Sequence, residues 1–417
     1  MVSKELAGSK YNPRVAWLAL VGGIMIYFVN SAAQYKIPPI MIELNEALGL
    51  TLAQSGWLMS IMSLLGLILA LPAGFIIMKL GVKWATVLAA SVQLVGSLIG
   101  TFATGFELML VSRALEGVAL GLCNVVSFAV VTAFFPPEKR GFPNSCVTAL
   151  YTVAVFMMMN VAVPLTEAFT WTGIWWFVNI LSVVAVLAAL FLIPSKDQEI
   201  DFEEDGQDHV AKEKIDYGTL LKTPSVWIAP LIFVVFNIGY YGISTYMPTY
   251  LVDGVGADQA AANLAVSWNS LVGLPAALVI GIVLNKLRIE YRKYVVALTM
   301  FALGVCYLAA FKMPTVESAT ILLILMGFIC TFVPVALYTL GPDIIPSAAY
   351  AAIILAIITF GQNLGMTLGP LVVGYIVDIL GDWAACSLPI GIMAFFGGVI
   401  AFFLKVGKAK RSDGEAE

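Results

Sequence analysis

Two charges of opposite sign, Arg113 and Glu116, stand three residues apart in the otherwise apolar or small run VSRALEGVALG (111–121). At that spacing they share one face of a helix. A carboxylate beside a guanidinium in apolar surroundings has two roles open to it. It can neutralise its partner as a structural pair, or it can load and release a proton whose affinity the cation depresses. Arg113 could also attract an anionic solute. Lys36 is the other unusual cation, at the end of an apolar stretch in FVNSAAQYKIPPI (28–40), where Pro38 and Pro39 break or bend a helix. Either its ammonium snorkels to an interface, or it contacts substrate with Asn30, Gln34 and Tyr35. The single histidine, His209, lies in a hydrophilic segment, so carboxylates and tyrosines are the candidates for a proton relay.

The elements that must position these groups are membrane helices. Of 417 residues, 60% are hydrophobic and 12% charged, against about 25% charged in soluble proteins. Stretches long enough to span, about 20 residues each, fall near 15–35, 52–78, 84–104, 107–134, 142–166 and 171–193, and again near 225–250, 260–284, 294–311, 318–341, 347–377 and 383–404. This predicts an all-α integral membrane protein of twelve helices. It comprises a six-helix bundle over 1–194, a cytoplasmic linker over 195–224 and a second six-helix bundle over 225–417. The linker holds SKDQEIDFEEDGQDHVAKEK, which is too polar to build a core. In such a setting each intramembrane charge is costly and points to function.

Composition excludes several classes. A net charge of −4 without a basic stripe gives nucleic acid no footprint. The five cysteines all lie in apolar segments without ligand spacing, so neither a metal site nor a disulfide framework is expected. No nucleotide-binding loop pattern occurs, no nucleophile–base arrangement stands out, and no cofactor is expected. The start MVSKELAGSKYNPR has no apolar core ending in a cleavage site.

Of the 22 Lys and Arg residues, only Lys36 and Lys312 fall in loops on one side, with Arg113 inside a helix. The positive-inside rule then places both termini in the cytoplasm. The two groups of six repeat each other: Trp17 pairs with Trp227, Pro39 with Pro248, Gly74 with Gly281, and Pro164 with Pro370. Like-oriented halves with substrate between them are a transporter plan.

On these features the whole chain resembles the major facilitator superfamily. GFIIMKLGVKW (74–84) is similar to that family's glycine- and basic-rich loop signature, matched by Gly74, Gly81 and Lys83, with Lys79 where Arg is usual. Met78 occupies the acidic position, so the resemblance implies a cytoplasmic latch without its usual carboxylate. The second-half loop keeps Gly281. RALEGVALG resembles the family's fourth-helix pattern, with Gly117 and Gly121 placed for close helix packing. GQNLGMTLGPLVVG (361–374) sets Gly365, Gly369 and Pro370 where a helix can pack tightly or bend during alternating access. The segment starting QYKIPPIMIELNEALGL is similar to the bacterial cyanate/nitrate and organic-anion branches. No arginine lies in the second or eighth span, which disfavours nitrate.

In this family the first helix and its repeat line the cavity. That makes Asn237, Tyr240 and Tyr241 pocket candidates, joined by Tyr151, Asn160, Trp268, Asn269, Tyr338, Gln362 and Asn363 from other helices. Amides and tyrosines with few charges suit a small polar or aromatic-bearing solute. The expectation is a non-enzymatic, monomeric secondary transporter of the inner membrane. It would take up a small organic anion or polar metabolite with protons, by alternating access in the lipid bilayer. The alternatives are proton-driven efflux of hydrophobic compounds and a non-transporting sensor.

Overall fold

The structure is a computed structural model that describes residues 12–136, 139–194, 217–345 and 347–405. Both chain ends and most of the expected linker therefore lie outside the described residues. Among those described, twelve helices are long and apolar enough to cross a membrane, in keeping with the pattern of spans.

The helices start and stop where local chemistry permits. α1 (Pro13–Gln34) begins with Asn12 accepting from the Arg14 N–H and with proline in the first turn. It stops because Pro38 and Pro39 cannot supply further N–H donors, and the chain continues as a 3-10 turn (Pro38–Ile40) and a short helix α2 (Met41–Leu48). Gly49, in the left-handed region, closes α2. The second and third spans form one long element, α3 (Leu52–Thr101), broken at Gly81. There φ is +75°, a conformation that glycine adopts without steric cost. Thr51 and Gln54 cap the start of α3 reciprocally.

α4 (Phe106–Phe134), α5 (Gly141–Phe169) and α6 (Thr172–Leu192) complete the first six spans. A short α7 (Tyr217–Lys222) leads into α8 (Pro224–Asp253), α9 (Gln259–Lys286) and α10 (Ile289–Ala310). The tenth span is interrupted at Thr331, giving α11 (Val316–Cys330) and α12 (Phe332–Ile344). α13 (Ala348–Leu380) and α14 (Ala384–Ala401) end the fold.

Small residues let these helices meet backbone to backbone. A Cβ at Gly117 would come within 2.7 Å of the Met62 carbonyl, and one at Gly121 within 2.8 Å of Gly66 O. On α13 the same spacing seats Gly365 and Gly369 against Val234 O and Ile238 O of α8. Outward faces carry exposed Phe191, Leu278 and Ile379, which hydrocarbon solvates and water would not.

The two groups of helices are joined firmly at one end of the bundle. Both carboxylate oxygens of Asp378, near the end of α13, accept from the first two N–H groups of α3: Leu52 N at 3.1 Å and Ala53 N at 2.8 Å. Tyr246 donates to Leu52 O at 2.6 Å, Trp57 Nε1 to the Tyr375 hydroxyl at 3.1 Å, and Gln259 and Asn263 to Pro39 O at 2.9 and 3.1 Å.

Candidate functional site

The end of α1 leaves carbonyls without helical partners, and Arg113 on α4 takes them. Its NH1 donates to Ala33 O at 2.7 Å, its NH2 to Gln34 O at 3.5 Å, and its Nε to Leu58 O at 3.1 Å. The guanidinium thus sits at the negative end of the α1 dipole. Its NH1 also donates to Glu116 Oε2 at 2.7 Å. The other carboxylate oxygen, Oε1, receives Lys36 Nζ at 2.6 Å and Gln93 Nε2 at 3.2 Å. Asn30 orients Gln93 from behind, Nδ2 to Oε1 at 2.7 Å. Lys36 Nζ also reaches Ser97 Oγ at 3.4 Å and lies 4.4 Å above the Trp175 ring. All three charged side chains are fully sealed from solvent. The cluster holds two cations and one carboxylate, and each ion's desolvation costs several kcal/mol even after partial compensation.

Beside this cluster lies a two-chambered cavity between the first and last six spans. One chamber, of about 440 Å³, is walled by Gln34 of α1, Asn124 of α4 and Gln362 and Asn363 of α13. The second, of about 600 Å³, is walled by Phe236, Asn237 and Tyr240 of α8, by Asn269 and Leu274 of α9, and by the broken tenth span at Cys330, Thr331 and Pro334. Thr148, Tyr151, Tyr241 and Gln362 line both. At their junction Tyr151 donates to the Tyr35 hydroxyl at 2.9 Å and shares a 3.2 Å hydrogen bond with Tyr241. Among the described residues, no Asp, Glu, Lys, Arg or His lines either chamber.

The sequence pattern of the Major Facilitator Superfamily matches residues 23–355 and 255–417. The chain belongs to this superfamily. Two relatives share modest identity over most of their length. Monocarboxylate transporter 12 of Rattus norvegicus is 22% identical over 94% of this chain and 86% of its own. The hexuronate transporter of Bacillus subtilis (strain 168) is 23% identical over 98% of each. A crystal structure of a bacterial homolog to the human lysosomal transporter Spinster, inward-facing and unoccupied, superposes with a TM-score of 0.75 at 15% identity. That likeness covers 94% of this chain and 95% of the homolog, and it shows the twelve-helix superfamily fold.

Within that fold the predicted residues separate into three groups. Gln34, Tyr151, Asn237, Tyr240, Tyr241, Asn269, Gln362 and Asn363 line the cavity. Asn30, Lys36, Arg113 and Glu116 form the sealed cluster behind it. Lys36 therefore neither snorkels to an interface nor borders the cavity: the prolines that follow it turn the chain inward, and Glu116 draws the ammonium into the packing. Arg113 and Glu116 pair as the spacing allows, with Lys36 as a third member.

The remaining candidates stand apart from the cavity wall. Asn160 donates to Phe156 O on its own helix at 2.7 Å, and Trp268 is partly exposed but lines neither chamber. Tyr35 sits behind Tyr151, and Tyr338 holds Gln362 Oε1 at 2.6 Å. Of the loop-signature residues, Lys79 is exposed, Lys83 half-buried, and Gly74 and Gly281 face open space. Pro370, set on α13, presents its carbonyl to Gly56 of α3, where a Cβ would come within 2.7 Å.

Asn124, Gln93 and Asp378 escaped the sequence reading. Asn124 and Gln93 carried a readable signal, a lone amide in an apolar helix. Asp378 carried none, since a carboxylate at a helix end reads as a solvated loop charge.

Proposed function

We propose that the chain is a proton-coupled secondary transporter that takes up a small organic anion or polar metabolite by alternating access. Residues 1–194 and 225–417 would rock against each other as a monomer in the inner membrane. The observation that supports this most is the sealed Lys36–Glu116–Arg113 cluster beside a cavity without fixed charge. With Glu116 ionised the cluster carries +1, partly offset by roughly half a charge from the α1 terminus. Protonation raises it to +2, a change that favours an anion in the adjoining chamber through low-dielectric protein. Proton loading and anion binding then reinforce each other, as linkage requires. The names of the monocarboxylate and hexuronate relatives are consistent with an anionic substrate.

The positive-inside pattern puts the termini in the cytoplasm, so the end held by Asp378 faces outward. A second reading, efflux of hydrophobic compounds, draws on the Phe236–Tyr240 ring stack in the larger chamber, whose centroids are 5.7 Å apart.

Proteoliposome flux tests the first reading. Acetate should accumulate under an inward proton gradient. In Glu116→Gln, gradient-driven accumulation should collapse while acetate exchange across equal pH continues. Accumulation unchanged in that variant would make Glu116 structural. Gradient-driven flux confined to a hydrophobic cation would favour the efflux reading.

A further inference from the structure

The two chambers differ in what their polar groups are free to do. In the smaller one the side-chain amides of Gln34 and Asn124 make no hydrogen bond to another described residue. Gln362 spends its oxygen on the Tyr338 hydroxyl, which leaves its N–H₂ for the cavity. Three amide donors thus face one space, and it adjoins the positive cluster through Gln34, whose carbonyl Arg113 holds. Amide N–H groups near a positive field suit an anionic oxygen.

In the larger chamber the conspicuous polar side chains are already satisfied by protein. Asn269 accepts from Tyr240 at 3.0 Å and donates to Leu323 O at 2.9 Å. Asn237 donates to Phe233 O at 3.1 Å, and Thr331 to Gly327 O at 3.1 Å. Beyond the Gln362 N–H₂ that the two chambers share, only the small hydroxyls of Thr152 and Ser270 and the Asn237 amide oxygen keep their hydrogen bonds for this space. What this space presents is ring and hydrocarbon: the parallel Phe236 and Tyr240 rings, interplanar angle 9°, with Leu274 and Pro334.

We infer that the substrate is an amphipathic anion, its carboxylate or similar oxyanion in the amide-lined chamber and an aromatic or branched apolar body in the ring-walled one. This rests on the symport reading above and narrows its substrate class. Tyr151 and Tyr241, common to both chambers, mark where head and body join.

The full chain in proteoliposomes, driven by an inward proton gradient, tests this with acetate, phenylacetate and glucuronate as probes. Phenylacetate should show a KM at least tenfold below that of acetate, the advantage expected from burying a ring's apolar surface. Phe236→Ala should raise the KM for phenylacetate on the order of tenfold more than the KM for acetate. Asn124→Leu should raise both by a similar factor. Because each ratio is taken within one variant, reduced insertion of that variant cancels. Equal KM values for acetate and phenylacetate, a preference for glucuronate, or a Phe236→Ala effect that is the same on both acids would overturn the amphipathic assignment while leaving anion symport intact. Gradient-driven uptake of none of the three acids would overturn the symport reading and this inference together.

Discussion

The first and last six spans solve the same packing problem with different chemistry. In the first, helices α1, α3 and α4 are tied through Lys36, Glu116 and Arg113, with Gln93 and Asn30 as neutral supports. In the last, charged ties stand only at partly exposed helix ends among the described residues, as with Arg292 and Asp343 at 3.9 Å, and the buried ties are neutral. Asn269 links Tyr240 of α8 to Leu323 of α11, and the Tyr307 hydroxyl donates to Phe236 O at 3.2 Å. Asn237, on the helix that repeats α1, bonds only its own helix, whereas Asn30 serves the charged cluster. Neutral amides and phenols hold helices together without removing an ion from water. Since the neutral arrangement suffices for one half, structure alone does not require the charged one. Under the proposed symport, the asymmetry would place ion coupling in the first six spans and leave the last six to shape the apolar part of the site.

The comparison breaks most sharply at Glu116. Glu116→Ala leaves two buried cations opposed by no carboxylate, a loss of about 3–5 kcal/mol. It should lower the thermal unfolding midpoint in detergent far more than any neutral change in the last six spans. Pairing Lys36→Met with Glu116→Leu should recover much of this, because Arg113 keeps its three carbonyl acceptors. An unshifted midpoint in Glu116→Ala would show that the ions do not depend on one another.

Next in size is the tie between the two groups of helices. Asp378→Asn exchanges a carboxylate that takes two helix-terminal N–H groups for an amide that offers one oxygen. Hydrogen bonds to a charged group are worth about 1.5–3 kcal/mol, enough to shift an opening equilibrium about tenfold or more. Spin labels at position 46 on α2 and position 257 in the loop between α8 and α9 should report a longer distance population in the variant. An unchanged distribution would mean that other contacts hold the end shut.

Asn269→Leu should have the smallest effect, about 1–2 kcal/mol from a neutral network. The pH dependence of transport should remain that of the unsubstituted protein. A shift in that pH profile would sharpen the comparison differently, by extending proton coupling into the last six spans.

How far the sequence carries can be judged at particular residues. Gly117 and Gly121 sit where their spacing says a helix must approach closely, because small side chains leave only one way to pack. Pro38 and Pro39 end α1 as their missing donors dictate. For Lys36 the residues gave two readings and the structure took neither, since the direction of its side chain depends on a partner 80 positions away. Trp268 and Asn269 are adjacent in sequence, yet only the second lines the cavity. An apolar helix surrounded by lipid and by other helices carries no polar face to say which side is which.

By itself, then, the sequence determined that this protein is a membrane bundle of twelve helices in two repeats with three costly charges. Hydropathy, helix length and the cost of burying ions are local quantities that any stretch of chain reveals. Only the tertiary structure decided that those three charges meet one another rather than the substrate, and that the cavity beside them has a polar and an apolar end. Such pairings are set by which helices pack together, and the residues concerned are brought close only when the whole bundle closes around them.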